Sequence, residues 1–219
     1  MNEKIIQTFY GRTDIPYFVV FSPISNLCNS LTNTLYETES SRGWWKNVTG
    51  TTEEGRRVIV VKTPTGNSIT DSVISLNHKK TFLIHFGYCG GISPSVRIGE
   101  LVAADESYFL NQNISYKTKF RTEILKTVNP FVVIGRNVTV ESILREKDSL
   151  ENVQTDTISV DQETTYVYRD SINPCISIMI ASDLPLTRPF YEIGDEDRKK
   201  INERSKKASS LIISLIDEI

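Results

Sequence analysis

Short apolar runs alternate with amphipathic stretches along this chain. Residues 17–21, 57–62, 81–86, 100–105, 131–135, 158–160 and 175–181 each read as a strand, rich in Val, Ile and Phe. The run at 175–181 reads by its composition as a strand buried on both faces. Between these runs the spacing predicts helices over 26–36, from about 67, and over 140–147. The last helix carries Ala208, Leu211, Ile212, Leu215, Ile216 and Ile219 on one face. This alternation predicts an α/β fold: one three-layer domain over residues 1–219, around a central mixed, mostly parallel sheet.

The strand at 81–86 runs into Gly87-Tyr-Cys-Gly-Gly91, three glycines in five residues. Glycine tolerates positive φ and lets a ligand approach the backbone, so this strand end is expected to border a pocket. Arg42-Gly-Trp-Trp-Lys46 reads as a loop or edge segment whose tryptophans pack on the sheet. Pro64 and Gly66 break the chain after the strand at 57–62.

Composition narrows the classes. Hydrophobic residues make up 39% and charged residues 24%, with a net charge of −2, so no basic footprint for nucleic acid is present. No apolar run approaches the ~20 residues of a membrane span, and the N-terminus lacks signal-peptide design. A cytoplasmic location is expected, with Cys28, Cys89 and Cys175 as reduced core thiols. Sequons at Asn47, Asn113 and Asn137 read as chance matches. His78 and His85 do not have metal-ligand spacing, so neither a metal nor another cofactor is expected.

Two acids stand at strand ends. Glu163 follows the strand at 158–160, and Asp183 follows the strand at 175–181. A carboxylate there faces the ligand crevice, where desolvation raises its pKa. A helix N-cap or a turn residue is the alternative role for each.

With these features in place, the chain resembles the nucleoside phosphorylase and nucleosidase superfamily. Residues 87–102 are similar to its Gly-Ser-Cys/Ala-Gly-Gly segment and following strand. Val160-Asp-Gln-Glu-Thr164 is similar to its Val-Glu-Met-Glu-Ala signature, and Ile180-Ala-Ser-Asp183 to its Ser-Asp strand end. Parts of the chain resemble the AMP nucleosidase branch. The resemblance implies a nucleoside phosphorylase-like fold and cleavage of an N-glycosidic bond in a purine nucleoside or nucleotide. It also implies a homo-oligomer. Glu163 matches the acid that accepts hydrogen bonds from the ribose hydroxyls, and Asp183 the general acid that protonates the base. Gln162 takes the methionine position beneath the sugar. Arg198 matches an arginine that approaches the general acid, with a solvated helix-face charge as its alternative. Ile143 falls near the base-stacking phenylalanine, and backbone around Gly66 and Gly87 borders the pocket.

The departures set the nucleophile. The phosphate-binding arginine after the first strand is missing from Phe21-Ser-Pro-Ile-Ser25. A second arginine is replaced by His85, and the serine of the glycine turn by Tyr88. Phosphate recognition needs such fixed cationic forks, so hydrolysis is expected over phosphorolysis. The glutamate that activates water in methylthioadenosine-type nucleosidases also has no counterpart in residues 24–28. His85 is the one imidazole placed to serve as a base, with a satisfied core histidine within a buried strand as its alternative, and Tyr88 is placed to close the former phosphate site or orient water. Two alternatives remain: a phosphorylase with an anion site rebuilt from arginines such as Arg42 or Arg97, and a nucleoside-binding protein without turnover.

Overall fold

Strand β1 (Phe18–Ser22) is buried along its whole length, because parallel neighbours flank it on both sides. These are β4 (Arg57–Lys62) and β5 (Phe82–Gly91). The computed structural model describes residues 3–112, 114–142, 150 and 153–219. Beyond β4, the hairpin of β2 (Tyr36–Arg42) and β3 (Lys46–Thr51) extends the sheet in antiparallel fashion. Sequence reading missed this hairpin for a physical reason: β2 buries no residue and so carries no apolar alternation.

The other side of β5 departs from a simple open sheet. Strand β10 (Cys175–Asp183) pairs in parallel with β5 and antiparallel with β6 (Leu101–Phe109). Next, β6 pairs in parallel with β8 (Val133–Thr139), and β8 in parallel with β9 (Thr157–Asp161). Finally β9 returns antiparallel to the end of β5, setting Val160 opposite Gly90. Five strands therefore close into a ring, and β5 belongs both to the ring and to the flat sheet beside it. A short strand, β7 (Ser115–Lys117), pairs with β6. The sheet is mixed, as the sequence predicts; its closure is not visible there, because pairing partners leave no local signature.

Helices cover both faces, completing three layers. On one face, α2 (Ser25–Thr32), α4 (Glu123–Val128) and α6 (Asp195–Glu218) pack over Phe82, Ile84 and Phe86 of β5. On the other, α1 (Glu3–Tyr10), α3 (Ile69–Ser75) and α5 (Thr164–Asp170) pack with Leu83 and Cys89. The alternation along β5 is the period of two that puts successive side chains on opposite faces. Helix α6 buries Ala208, Leu211, Ile212, Leu215 and Ile216 as its stripe predicts, whereas Ile219 at the helix end is exposed. Most of the helix expected over 140–147 lies outside the described residues.

Side-chain packing settles other expectations. All three cysteines are buried. Asn47 and Asn137 are buried too, which makes those two sequons inaccessible; Asn113 lies outside the described residues. Trp45 packs against Phe9 and Tyr10, while Trp44 stacks on Phe9 and is 73% exposed.

The glycines of β5 have a different purpose from the one their sequence suggests. None of Gly87, Gly90 and Gly91 has positive φ, and the strand runs on through all three. Side chains crowd them instead. A Cβ at Gly90 would overlap Pro185 Cγ, and one at Gly91 would lie 2.8 Å from Val96 Cγ1. At Gly87 it would lie 3.0 Å from the His85 ring. Gly90→Ala is therefore expected to lose about 2 kcal/mol through overpacking. For a chain of this size that is roughly 4–8 °C in Tm, read by thermal unfolding; an unchanged Tm would show that the 185 loop yields freely.

Candidate active site

The carboxyl ends of β5, β9 and β10 meet at one cavity of about 210 Å³, lined by Tyr88, Cys89, Gly90, Gln162, Glu163 and Asp183 among others. Convergence follows from the ring. Because β9 runs back along the end of β5, the chain leaving β9 passes over Tyr88 and Cys89. Because β10 pairs with β5 on the other side, Asp183 arrives opposite Gly90. The chain after β1 contributes Pro23 and Ile24 to the wall, and Phe190 stands at the edge.

Glu163 is fixed from two directions. It is the residue just before α5, and its Oε1 accepts a 2.6 Å hydrogen bond from the Gly66 N–H. Gly66 has φ +63°, which turns that N–H toward the acid and favours glycine. The start of α5 is anchored by Asp161, to which the sequence reading gave no role. Asp161 Oδ2 accepts bonds from the Thr164 N–H, at 2.8 Å, and from the Thr164 hydroxyl. Its Oδ1 accepts from Asn137 Nδ2 and the Thr139 hydroxyl, both at 2.8 Å. The available signal was an Asp three residues ahead of a helical Thr, a helix-start pattern. A buried carboxylate with four donors is a structural anchor, and it leaves Glu163 free to face the cavity.

Burial, then the charge of Asp161, push the Glu163 carboxyl up to about 7; the Gly66 and Gln162 amides and Lys62 oppose the rise. Asp183 is 4% exposed. Its Oδ1 accepts a 2.8 Å bond from the Ser182 hydroxyl, while its buried Oδ2 has no partner. Burial raises its pKa above the ordinary carboxylate range, with Ser182 and the Phe190 backbone opposing. Each acid thus presents capacity to the cavity: Glu163 to accept from paired hydroxyls, Asp183 to hold or give a proton.

The other candidates divide. Tyr88 and Gln162 line the cavity, with Gln162 Nε2 donating to the Glu141 carbonyl at 3.1 Å. Thr65 and Gln162 also line an adjoining cavity of about 400 Å³ that reaches Gly66, Glu141 and Tyr166. His85 does not line the site. It is buried in β5, its Nδ1 lies 3.1 Å from the Ser177 hydroxyl, and burial pushes its pKa down to about 4. It is a neutral core residue at pH 7, so it does not supply the cation of the arginine it replaces. Gly87 belongs with it, as the residue that makes room for the imidazole. Arg198 is exposed on the first turn of α6 and donates to the Ile193 carbonyl at 3.4 Å, away from the cavity. Ile143 lies outside the described residues. Among the described residues no cluster of His, Cys, Asp and Glu has metal-binding geometry, and no helix is long and apolar enough to cross a membrane.

No protein-family profile matches the sequence, and no curated protein matches it either. Solved structures do match. The S-adenosylhomocysteine nucleosidase of Streptococcus pyogenes, in complex with 5-methylthiotubericidin, superposes with a TM-score of 0.79 at 15% identity. It covers 94% of this chain and 98% of its own. A putative 5′-methylthioadenosine/S-adenosylhomocysteine nucleosidase from Borrelia burgdorferi, bound to adenine, gives 0.75 at 20% identity, covering 92% and 100%. A mutant of the Helicobacter pylori enzyme with 5′-methylthioadenosine in its active site gives 0.78 at 11%, covering 93% and 99%. This chain therefore has the fold of the 5′-methylthioadenosine/S-adenosylhomocysteine nucleosidases.

Proposed function

We propose that this protein hydrolyses the N-glycosidic bond of a purine nucleoside or nucleotide. One observation carries the reading: Glu163 and Asp183, brought from separate strands, face a single cavity as buried acids with unused hydrogen-bonding capacity. Ionised Glu163 accepts hydrogen bonds from the ribose 2′- and 3′-hydroxyls and steadies the positive charge that develops on the sugar. Protonated Asp183 gives its proton to the base as the C1′–N bond breaks, so the bonding electrons leave with a neutral base. Water then attacks C1′ and releases a proton to solvent. The 210 Å³ cavity and its 400 Å³ neighbour together fall in the range of small-molecule sites.

Water is favoured over phosphate because, among the described residues, neither lysine nor arginine lines the 210 Å³ cavity. The same reading includes a homo-oligomer working in the cytoplasm, with exposed Phe190 and Tyr191 beside the site available for a subunit contact. The test is a panel of purine nucleosides and nucleotides, incubated with and without phosphate and read by chromatography. Free base and free sugar at equal rates in both buffers is the expected result. A sugar phosphate formed only with phosphate would make the protein a phosphorylase. Binding without release in either buffer would make it a nucleoside-binding protein.

A further inference from the structure

Residues 184–194 join Asp183 to α6 and close one side of the acid cavity through Phe190. The two halves of this segment are held very differently. The first is a tight turn in which Leu184 and Arg188 exchange backbone hydrogen bonds of 2.9 and 2.6 Å. It sits on β5, where Leu184 and Pro185 fill the room left by Gly91 and Gly90. The second half has no such seat. Its single turn, Phe190–Glu192, buries no residue, and Tyr191 is 65% exposed. Yet the Phe190 backbone lies against the Asp183 carboxyl, and Phe190 edges the cavity. A segment with so few buried contacts opens readily unless something else ties it down.

One ion pair does so. Arg188 Nη2 lies 2.5 Å from Oδ2 of Asp197, in the first turn of α6. It is the one ion pair that residues 184–194 make among the described residues. The partners are unequally placed: the Arg188 side chain is 47% exposed and that of Asp197 only 14%, with its Oδ2 buried. A fully exposed pair would contribute little. Here a buried carboxylate oxygen has Arg188 as its polar contact, so removing the guanidinium strands a charge. The other acids of that first turn, Asp195 and Glu196, are exposed and hold nothing in the segment.

We propose that Arg188 is a positioning residue for the general acid: paired with Asp197, it fixes residues 184–194 so that Phe190 stays against Asp183 and water is kept from the proton donor. The role rests on the nucleosidase reading above. Arg188 acts through the segment and not through its own charge, because burial, Ser182 and the Phe190 backbone are what shift Asp183. Burial is the largest of these influences and the one that holds the proton on. A freed segment hydrates the acid, favours its ionised form and lowers the pH at which the proton is lost. The titratable groups that share the cavity are Tyr88 and Cys89 of β5 and, at the end of β9, Asp161 and Glu163. Neither the chain after β1 nor the 184–194 segment brings a titratable group to it.

Arg188→Ala, Asp197→Ala and the double variant test this on the intact protein. The substrate is whichever of adenosine, adenosine monophosphate and 5′-methylthioadenosine the wild type cleaves fastest. In Arg188→Ala, kcat is expected to fall about tenfold through misplacement of the donor, with KM changed by less than about twofold. The alkaline limb of kcat/KM should move to lower pH. All three variants should lose the same amount, as the two ends of one contact do. Arg188→Lys keeps the cation and should recover most of the rate and return the limb. An unchanged kcat and limb in Arg188→Ala, or losses that add in the double variant, would overturn the role. So would a lower kcat with an unmoved limb that lysine fails to recover, since the pair would then serve the fold alone. A wild type inactive on all three substrates would bring down the nucleosidase reading itself, and this role with it.

Discussion

Asp183→Asn is expected to slow base release by roughly a thousandfold, within the ~10²–10⁴ that a positioned general acid supplies. The exchange keeps shape and keeps an oxygen for the Ser182 hydroxyl, now 2.8 Å from Oδ1. What it removes is the transferable proton at the unpartnered Oδ2. Folding should not suffer. Asp183 is a buried acid whose pKa is raised, so its ionised form opposes folding. A folded acid with a raised pKa contributes fully below its unfolded pKa and loses that contribution as pH rises through the folded value. The amide has no such loss, so the variant should melt no lower than the wild type at alkaline pH. The two proteins should also differ in pH profile. The wild type needs protonated Asp183, giving an alkaline fall in kcat/KM that the residual activity of the variant lacks. Chromatography of released base across pH decides it. An unchanged rate would remove Asp183 from the chemistry.

Glu163→Gln has the second-largest expected effect, a loss of about a hundredfold or more in kcat/KM. The amide oxygen of the variant side chain would still accept the Gly66 N–H, so the loop keeps its tether, but the negative charge beneath the ribose is gone. The acidic limb of the wild-type profile should centre near pH 7, where the Glu163 carboxyl titrates. Stability should move the other way. Glu163 takes up a proton on folding between its ordinary 4.5 and about 7. Its contribution is present below 4.5, falls through that window and is lost above 7. Glu163→Gln should therefore raise stability at pH 8 by on the order of 2 kcal/mol and change little at pH 4. Denaturant melts at the two pH values measure the difference. A destabilised variant at pH 8 would mean that the acid is held for the fold.

The parts of this molecule legible in the sequence are those with local causes. β1, β4 and β10 announce themselves because each carries a dense apolar run, and the α6 stripe because 3.6-residue spacing survives any context. Glu163 and Asp183 were legible as acids at strand ends. Their shared cavity was not derivable from spacing, since it depends on β9 and β10 flanking the same strand. Asp161 went unread because its work lies in four hydrogen bonds, two of them to distant partners. His85 had two readings in the sequence, a base or a core histidine, and burial decides for the core, where Ser177 and Gly87 enclose it. The glycines drew attention for the right place and the wrong cause, since crowding by Pro185, Val96 and His85 explains them.

Ring closure has a consequence for how the chain matures. Among the described residues β10 is the last strand in chain order, yet it lies between β5 and β6, which leave the ribosome some seventy to ninety residues earlier. Until it arrives, two strand borders wait with open hydrogen-bonding groups, the state most prone to mispairing with other chains. The segment that delivers Asp183 is thus also the keystone of assembly, so a nascent chain acquires its acid pair and its protected edges in one late step.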